Sequence, residues 1–106
     1  MRRKYQVLLI DAEGILRDGL CAMINLEADF ALLAAIAATP ALQSVLLPAD
    51  PDLIIADFGV PPVSVQQTVE LARTRWKNVP ILVLTSSRDG AAIEAALRAG
   101  VDGYIL

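Results

Sequence analysis

The chain has 106 residues, 56 % of them hydrophobic, with a net charge of −3 and no histidine. That length gives room for one core and is short for two. The missing histidine excludes a Ser-His-Asp triad, a Cys-His pair and histidine metal sites, and the acidic balance makes the chain a poor nucleic-acid binder by itself.

The first short apolar run, Gln6 to Ile10, reads as a strand. Leu16, Leu20, Met23 and Ile24 then recur at helical spacing. Phe30 to Ile36 reads as a second strand. From Thr39 to Leu47 the pattern predicts a helix, with Thr39 as cap, Pro40 at the first helical position and Leu42, Val45 and Leu46 on one face. Pro48 and Pro51 mark the turn that follows. Leu53 to Ala56 is a third, wholly apolar strand ending in Asp57. Val65, Val69, Ala72 and Trp76 share one face of the next helix. Pro80 opens a fourth strand, Ile81 to Leu84. Ile93, Ala96 and Leu97 mark a further helix, which Gly100 ends at a position suited to a left-handed cap, with Val101 placed to pack back. Gly103 to Leu106 begins a fifth strand.

Strands alternating with helices in units of this length predict an α/β domain with a parallel sheet and right-handed crossovers. The expected architecture is a doubly wound, flavodoxin-like five-stranded sheet in the order 2-1-3-4-5. Such a sheet needs helices on both faces, so a fifth helix is expected beyond Leu106, with an apolar face left bare without it. The longest apolar run, Phe30 to Ala38, falls well short of the roughly 20 residues of a membrane helix. No signal peptide is visible. A lone cysteine, Cys21, excludes a disulfide within the chain and suits a reducing cytoplasm. The basic cluster Arg2, Arg3 and Lys4 reads as a solvated terminus.

Ligands of open α/β sheets bind outside the carboxyl ends of the strands. Asp11, Asp57 and Thr85 stand at three such ends, on strands that the order 2-1-3-4-5 makes neighbours. Each has an ordinary alternative: Asp11 and Thr85 as helix caps, Asp57 as a turn residue before Gly59 and Pro61. Two carboxylates about 5 Å apart repel by roughly 3 kcal/mol at an effective dielectric near 20. Such a pair raises one pKa or recruits a cation, and magnesium suits two carboxylates facing a phosphate. A carboxylate so placed can accept a phosphoryl group.

These residues resemble those of a bacterial two-component response-regulator receiver domain, a CheY-like fold. The resemblance rests on Leu8-Leu9-Ile10-Asp11, on Asp50-Pro51-Asp52-Leu53-Ile54-Ile55-Ala56-Asp57 with Pro61 beyond it, on Pro80-Ile81-Leu82-Val83-Leu84-Thr85, and on Ala99-Gly100-Val101-Asp102-Gly103-Tyr104. Arg17-Asp18-Gly19-Leu20 and Asp102-Gly103-Tyr104 look most like receivers joined to a LuxR-type helix-turn-helix domain. The resemblance covers essentially the whole chain, residues 1–106 being read as one receiver domain. It implies Asp57 as acceptor of a phosphoryl group from a histidine kinase and Thr85 as the hydroxyl that senses it. It implies Tyr104 as the aromatic switch, and Asp11, Asp57 and the Gly59 carbonyl as magnesium ligands. Contact with DNA is expected only through an output domain absent from these residues, while the bare apolar face favours a homodimer or other self-association and the lone cysteine a cytoplasmic location.

Two departures bear on that expectation. Ala12 stands where the family usually has a second acid, which weakens the expected magnesium site and leaves Glu13 as a further candidate ligand. Val65 replaces a glycine eight residues after Asp57. They motivate an alternative: a pseudo-receiver that binds proteins or dimerises without phosphorylation. A small-molecule enzyme on the same sheet is disfavoured, because Asp11-Ala12-Glu13-Gly14 is no glycine-rich phosphate loop.

Overall fold

The structure, a computed structural model, describes residues 4–11, 17–37, 41–58, 65–85 and 90–105; Asp11, Arg17, Asp57, Phe58, Val65, Thr85, Ala92, Ile93 and Tyr104 enter through their backbones. Five strands, β1 (Tyr5–Asp11), β2 (Phe30–Ala37), β3 (Leu53–Phe58), β4 (Ile81–Thr85) and β5 (Gly103–Ile105), alternate with the helices α1 (Arg17–Leu26), α2 (Val65–Arg75) and α3 (Gly90–Ala99). A short 3-10 turn, Leu42–Ser44, lies between β2 and β3. All neighbouring strands are parallel, in the order β2-β1-β3-β4-β5. The parallel pairing is what the alternation predicts, and the order is that of the expected flavodoxin-like sheet.

The strands are apolar on both faces, and alternate residues serve different layers. Leu8, Ile10, Ile54, Ala56, Ile81 and Val83 form one core with Val69 and Ala72 of α2, with Trp76 directly after it and with Leu42. The spacing of that α2 face is the one read from the sequence. Trp76 is 5 % exposed, and burying a side chain of this size contributes about 2–3 kcal/mol. On the other face, Val7, Leu9, Leu53, Ile55 and Leu84 meet Leu20, Met23 and Ile24 of α1 across an open apolar groove of about 260 Å³. Met23, on its rim, is 64 % exposed.

The segment after β2 corrects the sequence reading. No α-helix spans Thr39–Leu47 in the part described here, which begins at Ala41; one 3-10 turn stands there instead. The chain is already extended at Val45, with φ −66° and ψ 130°. Leu42 is fully buried and Leu47 packs against the core, whereas Leu46 is 94 % exposed. A helix would have put Leu42 and Leu46 on one face. The two prolines ahead, Pro48 and Pro51, leave little chain in which a longer helix could propagate. Side-chain bonding fixes the turn instead: Arg75 Nη1 donates to the Leu42 carbonyl at 2.9 Å. That hydrogen bond ties the turn to α2, and the Arg75 guanidinium also lies 4.5 Å from the Trp76 ring centre in a cation–π contact.

The end of α3 follows the sequence reading. Gly100 has φ +105°. Its N–H donates to the Leu97 carbonyl at 3.2 Å, and the Val101 N–H donates to the Ala96 carbonyl at 3.4 Å. These are the two bonds of a Schellman cap, and Val101 packs back on the core. Leu97, by contrast, is 54 % exposed while Ala96 is buried. The apolar stripe of α3 is therefore narrower than the sequence suggests.

Candidate functional site

The site is set by strand register. β1 ends at Asp11, and Asp11 is the registered partner of Asp57 on β3. Neighbouring strands lie about 4.8 Å apart, so the two aspartates stand side by side at the carboxyl edge of the sheet. Thr85 ends β4, and its partner is Phe58, the residue after Asp57. The three strand ends read from the sequence thus meet at the backbone level. Tyr104 pairs with Val83, two residues before Thr85 on β4. Ala12, Glu13 and Gly59 lie outside the described residues.

Two further aspartates organise the opposite edge of the sheet, and the sequence reading assigned them no role. Asp52, one residue before β3, accepts the Gln6 N–H at Oδ2 at 2.8 Å. Its own N–H donates to the Gln6 carbonyl at 2.8 Å. Asp102, one residue before β5, does the same to Ile81: Oδ2 accepts the Ile81 N–H at 2.8 Å, and the Asp102 N–H donates to the Ile81 carbonyl at 2.8 Å. The shared signal is an aspartate directly ahead of a strand.

Arg73 of α2 reinforces the second bracket. Its Nη2 donates to Asp102 Oδ2 at 2.8 Å and to the Gly100 carbonyl at 2.6 Å. Its Nη1 donates to the Val79 carbonyl at 2.7 Å and to the Lys77 carbonyl at 3.1 Å. The Ile81 N–H, and with it Arg73, hold the Asp102 carboxyl below its usual value against the opposing effect of burial.

Among the described residues, no helix is long and apolar enough to cross a membrane, and no cluster of three or more acids, cysteines or histidines stands ready for a metal.

Residues 7–106 match the family of the response regulator receiver domain. A nitrate/nitrite response regulator protein homolog from Haemophilus influenzae is 33 % identical over 106 residues, covering 100 % of this chain and 51 % of that protein. The nitrate/nitrite response regulator protein NarL of Escherichia coli is 30 % identical over 102 residues, covering 94 % and 46 %. The chain spans about half the length of these curated relatives. A LuxR-family DNA-binding response regulator from Staphylococcus aureus superposes with a TM-score of 0.77 over 96 % of this chain and 85 % of that one, at 20 % identity. That last likeness speaks for the fold alone, and it agrees with the strand order found here. On the family match and the two relatives together, the chain belongs to the response regulator receiver domains, a membership consistent with two-component signalling.

Proposed function

We propose that this domain is a phosphoacceptor switch in which Asp57 takes a phosphoryl group from a histidine kinase. The observation that carries the reading is the registered pair Asp11 and Asp57 at the carboxyl edge of a parallel sheet, beside the end of β4. A carboxylate oxygen of Asp57 attacks phosphorus in line, and the bond from phosphorus to the kinase imidazole nitrogen breaks with its electron pair leaving on nitrogen. The receiver supplies acceptor and positioning rather than turning over a substrate. Asp11 and Asp57, an oxygen donor set suited to a hard cation, would hold magnesium with the Gly59 carbonyl, and Glu13 is a further candidate ligand. Bound magnesium would neutralise charge on the phosphoryl oxygens. Thr85 would donate its hydroxyl to the phosphoryl group, and Tyr104 would respond on the β5 side.

The function of the whole protein is part of the same proposal. It is a cytoplasmic transcription regulator that pairs with a second copy and meets DNA through an output domain. A helix following β5 would fill the apolar groove beside α1. The groove's lining supports this, and so does the greater length of the relatives.

The test is intact-mass measurement after incubating the full-length protein with acetyl phosphate and magnesium, with Asp57→Asn beside it. A phosphoryl adduct on the parent and none on the variant is expected. No adduct on a folded parent would overturn the reading and leave a phosphate-independent binding module.

A further inference from the structure

The central strands of this sheet pose a registration problem. Val7 to Ile10, Leu53 to Ala56 and Ile81 to Leu84 are wholly apolar runs, covered by apolar groups on both faces. A strand that alternates polar and apolar residues fixes its register, because a slip of one residue exposes the wrong face. Leu53, Ile54 and Ile55 meet Val7, Leu8 and Leu9, and sliding one run past the other exchanges aliphatic groups for aliphatic groups. The side-chain pattern therefore discriminates poorly between registers at the place where the site depends on them.

Asp52 and Asp102 supply the missing polar contact. Each brackets a single backbone residue on the neighbouring strand, accepting its N–H and donating to its carbonyl, with all four distances at 2.8 Å. A one-residue slip breaks both bonds of a bracket at once. The two brackets sit in equivalent places, each one residue before its strand, at the edge away from the site. Five residues separate Gln6 from Asp11 and Asp52 from Asp57, about 16 Å of strand. That distance rules out direct contact with a reacting group.

We infer that Asp52 and Asp102 are positioning residues: the Gln6–Asp52 bracket sets the juxtaposition of Asp11 with Asp57, and the Ile81–Asp102 bracket, locked by Arg73, sets that of Tyr104 with β4. The inference rests on the phosphoacceptor reading for its consequences, and on the hydrogen bonds of Asp52 and Asp102 for its premise. The two halves are separable. The first bracket governs how well the acceptor pair is assembled. The second governs how a change at Thr85 is passed to β5.

The experiment uses the full-length protein with Asp52→Ala, Asp52→Asn, Asp102→Ala and Asp102→Asn. Asparagine keeps an acceptor oxygen in place and serves as the rescue. Leu42→Ala serves as a variant destabilised away from both brackets. Three quantities are read. The first is the row of inter-strand backbone NOEs joining β1 to β3 and β4 to β5. The second is the rate of adduct formation at saturating acetyl phosphate, with its KM. The third is the change in amide exchange over residues 101–105 when the adduct forms.

For Asp52→Ala the expected result is a shifted or doubled β1–β3 NOE row and a saturating rate lower by about tenfold or more, as expected for a reacting pair displaced by an ångström or so. Asp52→Asn is expected within about twofold of the parent, as is Leu42→Ala. Asp102→Ala is expected to keep the rate and lose the exchange response. Where an alanine variant does not fold, the matching glutamate variant replaces it, since it keeps the charge but moves the carboxylate out by one methylene. The same outcomes are expected of it. Parent-like NOE rows in the alanine variants would overturn the inference, as would rate losses that Leu42→Ala shares. A parent that takes no phosphoryl group would overturn the phosphoacceptor reading instead, and the NOE rows would still decide on the brackets.

Discussion

Arg73 Nη2 reaches 2.6 Å from the Gly100 carbonyl, so the residue that ends α3 in a left-handed turn is also held by a cation from α2. Gly100 sits at φ +105°, where a Cβ is strained whatever the surrounding space. Gly100→Ala is therefore expected to cost about 1–2 kcal/mol. Equilibrium urea unfolding checks this, and an unchanged midpoint would refute it.

Asp102 makes stability depend on pH in a stated direction. Its folded pKa is lowered below the ordinary value of 3.8 by the Ile81 N–H first and by Arg73 with it. A group whose folded pKa is depressed stabilises the fold fully above its unfolded pKa, and that contribution is lost as pH falls through the folded value. The stabilisation is thus complete above about pH 4 and fades below it. The side chain is 56 % exposed, so solvent screening keeps the effect modest. Comparing unfolding midpoints of the parent and Asp102→Asn from pH 7 to pH 2.5 should show a gap that narrows below pH 4. A gap constant with pH would contradict the assignment.

Thr68 on α2 is 1 % exposed, and its hydroxyl finds no hydrogen-bond partner among the described residues. A buried hydroxyl without a partner keeps its desolvation cost. Valine has the same shape without that group. Thr68→Val is expected to raise stability by about 1 kcal/mol, seen as a higher thermal midpoint. A lower midpoint would show that the hydroxyl is bonded in solution.

The turn between β2 and β3 gives a paired test. Leu42→Ala removes a fully buried side chain and is expected to cost about 2–4 kcal/mol. Leu46→Ala, four residues on, removes one that is 94 % exposed and should change stability by no more than about 0.5 kcal/mol. Equal losses would restore the helix predicted from the sequence.

That pair also marks where the sequence was legible and where it was not. Short apolar runs gave the strands, and the order assumed from the flavodoxin-like architecture is the one observed. The α2 face was read correctly because a heptad of chain holds its period through Val69, Ala72 and Trp76. The second crossover was misread because three apolar residues at helical spacing are too few to nucleate a helix. What holds that turn is Arg75, 33 residues away, which no local pattern reports. The meeting of Asp11, Asp57 and Thr85 at one edge could be read from strand ends together with strand order. Asp52 and Asp102 were passed over because an aspartate before a strand also looks like an ordinary turn residue, and its bonding across strands is a property of the folded sheet.

Placing β1 between β2 and β3 has a consequence for synthesis. Chains emerge from their amino end, so β1 and β2 can pair first. The other side of β1 then waits for Phe58, and the residues between Ala37 and Phe58 take on the order of one to four seconds to make. For that interval the nascent chain carries an aliphatic strand with one row of backbone groups unpaired, a form that favours capture by holdase chaperones. Asp52 emerges near the end of it, so the residue that brackets Gln6 arrives together with the strand that closes the gap.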